Sequence, residues 1–189
     1  MKTIRGRIYE AALAGDLVSL RRLVEGYSQL NRVGPGELSL LEDVLMELCH
    51  PGIPHKYAVV RILLECGADP NKLSGIGSSP LLPPMLGMDT KMLRLLLKAG
   101  ADPNKAGGFT KDSSFYDWAE SDYRTEVYDL KLSDKPRKGD QKDADSWLAF
   151  LDRIAVKYNR RRPDHLLLLR KYGAKTMKEI MAEQGEADG

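Results

Sequence analysis

Apolar residues recur along this chain at the spacing of amphipathic helices, and two of the predicted helices end in nearly the same sequence. The last apolar residues of these two helices are leucine pairs, at 63–64 and at 96–97. Two residues after each pair, the chain has the identical string Gly-Ala-Asp-Pro-Asn-Lys. The first residues of the strings, Gly67 and Gly100, predict helix C-termini, because glycine adopts the left-handed conformation that commonly ends a helix. They are 33 residues apart, which predicts a repeat of helical units.

Predicted helix starts keep the same register. Ser39 and Ser79 each lie eight residues after an asparagine, Asn31 or Asn71, and a hydroxyl residue before an apolar run predicts an N-cap. Asn71 and Asn104 are expected in turns, where a short amide can bond its own backbone. The pair Pro83-Pro84 predicts a short or distorted helix after Ser79, because a proline ring clashes with the preceding helical turn.

The C-terminal part of the chain departs from this pattern. Residues 131–143 are rich in charge, which predicts a solvated and mobile loop. An amphipathic helix is predicted from Asp145 to about Asn159. After Pro163, residues 164–175 repeat the leucine-rich helix end followed by glycine and alanine. Residues after Met181 are expected to fray.

The repeated string, its 33-residue period and the start signals together resemble an ankyrin-repeat protein. The resemblance covers Ile4 to about Arg124 and returns from Asp164 to Lys175. It implies an all-α solenoid of about four to five helix pairs with β-turn fingers, and we assign residues 1–189 to a single domain. We assign its units to about 4–30, 31–70, 71–103 and 104–175, of which the last contains a long-helix insertion at about 125–162. A second, short insertion at 49–55 contains prolines and a glycine that forbid continuous helix.

Composition narrows the class of protein further. The chain has 42% hydrophobic and 30% charged residues, which is ordinary for a folded domain. No apolar run reaches the roughly 18 residues that a membrane span needs, and the first seven residues do not resemble a signal core. The two cysteines do not form a secreted disulfide framework. We therefore expect a cytoplasmic protein, monomeric when free, that does not bind membranes.

Catalytic and metal-binding patterns are not evident. Cys49, His50, His55 and Cys66 have no established zinc-ligand spacing, since Cys66 lies one helix length from the others. Adjacent acids such as Glu42 and Asp43 point to different sides of a helix, which is poor geometry for paired acid and base catalysis. We expect no catalytic residue, no metal and no cofactor.

One dense basic run, residues 160–162, could contact phosphate. Cations are also favoured at a helix C-terminus by the helix dipole, and Pro163 ends the predicted helix directly after the run. The run lacks an aromatic platform for bases. The helix-end interpretation is therefore favoured, and nucleic-acid binding stays an alternative.

The predicted inner helices of the second and fourth units contain acids and no lysine or arginine. In ankyrin-repeat proteins, the side formed by inner helices and fingers usually contacts the partner. The resemblance therefore implies an acidic face with apolar insertions that recognises a basic protein. The candidate partner-binding residues are Leu38, Glu42, Met46, Glu47, Ile76, Ser78, Leu86, Phe109, Lys111, Asp117, Glu120 and Asp122.

The function that this resemblance implies is protein binding without catalysis. Small free-standing ankyrin proteins are similar to immunity proteins of bacterial toxin–antitoxin systems, in which the cytoplasmic partner inhibits a cognate toxin. A regulatory adaptor that recruits its partner without inhibiting it is the first alternative. Nucleic-acid binding or an enzymatic role is the second.

Overall fold

The computed structural model describes residues 3–105, 112–127 and 134–187. The chain forms two compact units, Met1–Ala106 and Gly107–Gly189. The prediction of an all-α protein is confirmed, because the described residues form ten α-helices and one 3-10 helix and contain no β-strand. Among these helices none has both the length and the apolar character required to cross a bilayer.

The first unit contains six helices that pack as three successive pairs. We number the helices in chain order, and each pair consists of an odd-numbered helix and the even-numbered helix that follows it. The odd-numbered helices pack side by side and form an inner layer. The even-numbered helices pack side by side and form an outer layer. The helices are α1 (Ile4–Ala14), α2 (Leu17–Val24), α3 (Leu40–Leu48), α4 (Lys56–Glu65), α5 (Leu82–Leu86) and α6 (Thr90–Lys98). Leucines and other apolar side chains between the layers are fully buried, as at Leu63 and Leu96.

Two asparagines connect consecutive pairs. The side-chain amide of Asn31 donates to the carbonyl oxygen of Gly67 at 2.8 Å, and its oxygen accepts from the backbone N–H of Asp69 at 2.8 Å. Asn71 forms the same two bonds one repeat later, to Gly100 and Asp102. The expectation that the amide of Asn71 bonds its own backbone is therefore wrong. The neighbouring aspartates do this instead, since Asp69 Oδ1 accepts from the backbone N–H of Asn71 at 2.8 Å.

The loops that enter α3 and α5 also contact each other. We call residues 32–38 and 72–78 the first and second fingers. The backbone N–H of Gly75 in the second finger donates to the carbonyl oxygen of Glu37 in the first at 2.7 Å. A Cβ atom at Gly75 would overlap the carbonyl oxygen of Gly34 and would lie 2.6 Å from the nitrogen of Gly36. Glycine is thus required at position 75 by close backbone approach.

The helix start predicted at Ser39 is confirmed for α3, whereas α5 begins three residues after the start predicted at Ser79. Ser39 is the N-cap of α3, with its Oγ accepting from the backbone N–H of Glu42 at 3.2 Å. Ser79 caps a turn instead, and α5 begins at Leu82 and has only five residues. The expected clash at Pro84 does not arise, because both prolines lie in the first turn, where their missing N–H groups have no helical partner to lose. The prediction of a short helix is confirmed.

The outer layer contains a charged contact that is largely covered. Lys56 Nζ lies 2.5 Å from Asp89 Oδ2, and their side chains are only 11% and 8% exposed. Asp89 also caps α6 by accepting from Met92 N–H, and it accepts from the hydroxyl of Tyr57. Burial opposes ionisation of Asp89, but these donors outweigh it and hold the pKa of the carboxyl below its ordinary value. The contact joins the first turns of α4 and α6.

The short insertion at 49–55 packs against the first helix pair. The ring of His55 has Nε2 3.1 Å from the carbonyl oxygen of Leu13. A Cβ atom added at Gly15 would lie only 2.6 Å from the same ring, so the ring occupies the space of a side chain at this position. Gly15 has a left-handed φ of 69°, so this turn requires glycine for two independent reasons.

The second unit contains the remaining helices: α7 (Phe115–Val127), a 3-10 helix (Lys138–Gln141), α8 (Ala144–Lys157), α9 (Asp164–Lys171) and α10 (Met177–Ala187). The predicted long helix is thus present as α8. Tyr123 of α7 is fully buried, donates its hydroxyl to the carbonyl oxygen of Arg161 at 2.5 Å and packs edge-on against His165 of α9. Burial, with a smaller effect of the Arg161 charge, lowers the pKa of His165 to about 4.

The mobility expected of residues 131–143 stays a prediction, whereas the fraying expected after Met181 is corrected. In the described part of the predicted loop, residues 134–143, Asp134 pairs with Lys157 at 2.8 Å and Asp140 pairs with Arg153 at 2.8 Å. These contacts hold the segment against α8, because its charges find partners along that helix. Residues after Met181 do not fray at once, since α10 continues to Ala187.

Candidate partner-binding surface

The inner layer of the first unit exposes apolar side chains where two of its helices end. A Cβ atom at Gly87, directly after α5, would lie 3.1 Å from the carbonyl oxygen of Cys49, directly after α3. The last turns of α3 and α5 are therefore adjacent. Met46 and Leu86 lie in these turns and are 42% and 48% exposed.

The fingers add further apolar surface. Ile76 is 70% exposed and directly follows Gly75, the residue that contacts the first finger. Leu73 is also exposed, and Leu38 is half-buried. We use the term inner face for the exposed residues of α1, α3 and α5 together with the two fingers. Leu73 is not among the residues predicted from the sequence, although its position three residues before Ile76 in a turn-rich segment is a usable signal.

Glu42 does not belong to the exposed part of the inner face. Its side chain is only 1% exposed, and the hydroxyl of Ser78 in the second finger donates to its Oε1. Within the described residues, its Oε2 is buried without a hydrogen-bond partner. Burial raises the pKa of Glu42, against a smaller opposing effect of the Ser78 hydrogen bond. Glu42 therefore connects the second finger to α3, which is a structural role.

The other acids of α3 lie nearer to solvent. Asp43 Oδ2 is 3.4 Å from a guanidinium nitrogen of Arg5, which also donates to the carbonyl oxygen of Leu38 at 3.0 Å. Burial raises the pKa of Asp43, and Arg5 partly counteracts this effect. Glu47 is exposed in the last turn of α3. Burial together with the charges of Glu47 and Asp43 raises the pKa of Tyr9 on α1. Glu47, which also forms a side-chain hydrogen bond with Tyr9, is thus the one exposed acid of α3.

The acids predicted on α7 have mostly internal partners in the second unit. Asp117 Oδ2 accepts from the backbone N–H groups of Ser114 at 2.9 Å and Met177 at 2.7 Å. Glu120 Oε1 accepts from the indole N–H of Trp147 at 2.6 Å. Asp122 is exposed. The structure therefore places two of these three acids in contacts that hold the second unit together.

Two candidate residues, Phe109 and Lys111, lie outside the described residues. The structure brings Met46, Leu86 and Ile76 to the inner face. Sequence reasoning missed Arg5, which changes the charge of this face by pairing with Asp43. The sequence offered a signal for this contact, because a basic residue in the first inner helix can pair with the acids of the inner helix that packs beside it.

Among residues 3–105, 112–127 and 134–187, no three histidine, cysteine or carboxylate side chains are grouped so as to hold a metal ion. Both cysteines are free, and burial, followed by the charge of Asp89, raises the pKa of Cys49 to about 12. That thiol stays protonated at neutral pH and is a poor nucleophile.

Comparison of the chain with protein-family models gave no match, and comparison with curated proteins gave no significant one.

Proposed function

We propose that this chain is an ankyrin-type repeat module that binds a protein partner through the inner face of its first unit. The support for the repeat assignment is periodic: identical strings 33 residues apart, helix pairs in two layers, and asparagine bridges that recur at Asn31 and Asn71. The observation that carries the binding proposal is exposed apolar surface on a rigid frame. Met46, Leu73, Ile76 and Leu86 are all at least 36% exposed on elements that contact one another.

The frame matters because binding is stronger when a surface is preorganised. The fingers are bonded to each other through Gly75 and Glu37, and the second finger is bonded to α3 through Ser78 and Glu42. The apolar side chains are therefore presented by backbone that does not have to be ordered on binding. Exposed apolar residues grouped in this way are typical of protein-interaction sites.

The partner is a protein with apolar residues surrounded by basic ones. Glu47 lies one residue from Met46 and supplies negative charge at the edge of the apolar group. Charged residues at an interface rim mainly set the association rate, and apolar residues mainly slow dissociation. An immunity-type inhibitor of a basic toxin is the specific form that we propose, and a regulatory adaptor is the second.

The test is quantitative affinity capture from cells of the source species with the full chain as bait. The double variant Met46→Asp/Leu86→Asp places charge on the inner face without changing a buried side chain. Val18→Asp is the matched control, because Val18 lies on α2 in the outer layer and is 82% exposed. A partner on the inner face is retained by the wild-type chain and by Val18→Asp and is lost with the double variant. Equal capture by all three baits would exclude this surface.

The captured protein also separates the two forms of the proposal. An inhibitor abolishes the activity of its purified partner at equimolar concentration, whereas an adaptor leaves that activity unchanged. For a basic partner, association is expected to slow as salt is raised, and Glu47→Gln is expected to reduce this salt dependence. A rate that is independent of salt for both chains would contradict a charged rim.

A further inference from the structure

The second unit contains a pocket of about 580 Å³ that the proposed inner face does not involve. It lies between α7, the segment that leads into α8, and the first turns of α10. Its volume is within the range of about 300–1,000 Å³ that is common for small-ligand sites. The lining residues are Asp117, Gln141, Lys142, Asp143, Ala144, Trp147, Thr176, Lys178, Glu179 and Ala182.

One wall of the pocket is a tryptophan held in a fixed orientation. The indole N–H of Trp147 donates to Glu120 at 2.6 Å. The ring is stacked on Phe150, with 5.2 Å between centroids and 25° between planes. Small residues, Ala144 and Ala182, line the pocket with it and leave room beside the indole. This wall is suited to a flat apolar group, because aromatic rings favour stacked or edge contacts with such groups.

The carboxylates that line the pocket are engaged in the fold. Asp143 caps α8 by accepting from Ser146 N–H at 2.7 Å, and hydrogen bonds from the side chain and then the backbone of Ser146 are the main causes that lower its pKa. Glu179 accepts from both terminal nitrogens of Arg170 and from the backbone N–H of Thr176. Asp117 accepts from Ser114 and Met177, as described above. Each acid thus already has donors that offset its charge.

The lysines of the pocket are in a different situation. Lys142 and Lys178 are both exposed, and within the described ranges neither forms an ion pair. They come from different elements, one directly before α8 and the other in the first turn of α10. The charge of Lys142 also helps to lower the pKa of the neighbouring Asp143. A ligand in the pocket therefore meets two ammonium groups that form no ion pair within the described ranges, beside an aromatic wall.

We propose that this pocket binds a small aromatic carboxylate. The ring lies against Trp147, and the carboxylate accepts hydrogen bonds from Lys142 and Lys178. Ammonium–carboxylate hydrogen bonds are stronger than neutral ones, so the charge of the ligand decides its affinity. The site is independent of the inner face and needs no partner protein.

Three probes with the same ring and different charge test this assignment: 2-naphthoate, 2-naphthylmethanol and 2-naphthylmethylammonium. The readout is the indole N–H signal of Trp147 in a ¹H–¹⁵N NMR spectrum of the full chain. The chain has two tryptophans, so the indole signal of Trp118 is an internal control. A Trp118→Phe variant lacks that signal and thereby assigns the remaining one to Trp147. We expect a saturable shift of the Trp147 signal with naphthoate at concentrations about tenfold or more below those needed for the other two probes.

Variants assign the charge effect to the two lysines. Lys142→Ala/Lys178→Ala is expected to weaken naphthoate binding about tenfold and to leave binding of the alcohol unchanged. Arg160→Ala/Lys171→Ala removes the same charge from exposed positions that do not line the pocket, and it is expected to bind naphthoate as the wild-type chain does. Ala182→Phe fills the pocket from an exposed position and is expected to abolish the shift, with folding checked by a thermal melt. No saturable Trp147 shift, or equal or tighter binding of the alcohol or the ammonium probe, would overturn the proposal.

Discussion

The side-chain amide of Asn71 donates to the carbonyl oxygen of Gly100 at 2.8 Å, across the boundary between two successive helix pairs. The acceptor belongs to Gly100, the left-handed residue that follows the C-cap of α6. The same amide accepts from Asp102 N–H at 2.7 Å, so one side chain satisfies two backbone groups of the next pair. Asn31 does the same for the preceding boundary.

Replacing Asn71 with alanine is therefore expected to destabilise the first unit. Two hydrogen bonds to backbone are lost, and we expect the free energy of unfolding to fall by about 1–3 kcal/mol in denaturant titrations. Asn31→Ala is expected to lower the free energy of unfolding by a similar amount, because it removes the equivalent pair of hydrogen bonds. Gln29→Ala, at a neighbouring exposed position, is the control and should change stability little. Stability equal to wild type in both asparagine variants would contradict a bridging role.

Substitution of Gly75 with alanine tests the contact between the fingers. The added Cβ would overlap backbone atoms of Gly34 and Gly36, which cannot move as a flexible side chain does. We expect a loss of about 1–3 kcal/mol in the free energy of unfolding and weaker partner binding, since the second finger must shift. Gly6→Ala is the matched control, because its Cβ would make only an ordinary contact at 3.4 Å in a helix that favours alanine. A Gly75→Ala chain as stable as Gly6→Ala would show that the fingers are not in contact.

The covered pair of Lys56 and Asp89 predicts unequal effects of removing its two members. Asp89→Asn leaves a largely buried ammonium group without its carboxylate, and we expect a loss of about 3–5 kcal/mol in the free energy of unfolding. Lys56→Met removes the cation and leaves Asp89 with Tyr57 and the N-terminus of α6, so its cost should be smaller. A double-mutant cycle measures the coupling. Additive effects of the two substitutions would mean that the pair does not interact.

The buried carboxyl of Glu42 predicts a pH dependence of definite sign. Because burial raises its pKa in the folded state, the folded chain holds a proton that the unfolded chain releases above the ordinary value of 4.5. Stability contributed by this group is complete below that value and is lost as the pH rises through the folded-state pKa. Over this window we expect the unfolding free energy of the wild-type chain to fall relative to that of Glu42→Gln, because only the wild-type chain carries the Glu42 carboxyl.

Glu47→Gln is the matched control for this measurement. Glu47 lies on the same helix, but its side chain is exposed, so its variant should retain the pH dependence of the wild-type chain. Denaturant titrations of the three chains from about pH 4 to pH 8 give the comparison. A wild-type slope that matches Glu42→Gln throughout would show that Glu42 ionises in the folded chain as it does in the unfolded one.

The sequence by itself determined the helical class and most helix ends. Gly67 and Gly100 adopt φ angles of 96° and 94° after α4 and α6, and Ser39 caps α3. Such signals are local, because a left-handed residue or an N-cap depends on the backbone of a few neighbouring residues. The assignment of the helix pairs to ankyrin repeats, and of residues 1–189 to a single domain, stays a prediction that rests on the repeated string.

Only the tertiary structure decided which polar residues face solvent. The resemblance implied that Glu42, Asp117 and Glu120 lie on an acidic face that contacts a partner. It could not show that a finger hydroxyl would cover Glu42, that the start of α10 would meet Asp117, or that the indole of α8 would donate to Glu120. These partners lie between 27 and 60 residues away along the chain. The period of a helix describes its own faces, whereas the neighbour that covers each face is set by how the helices pack.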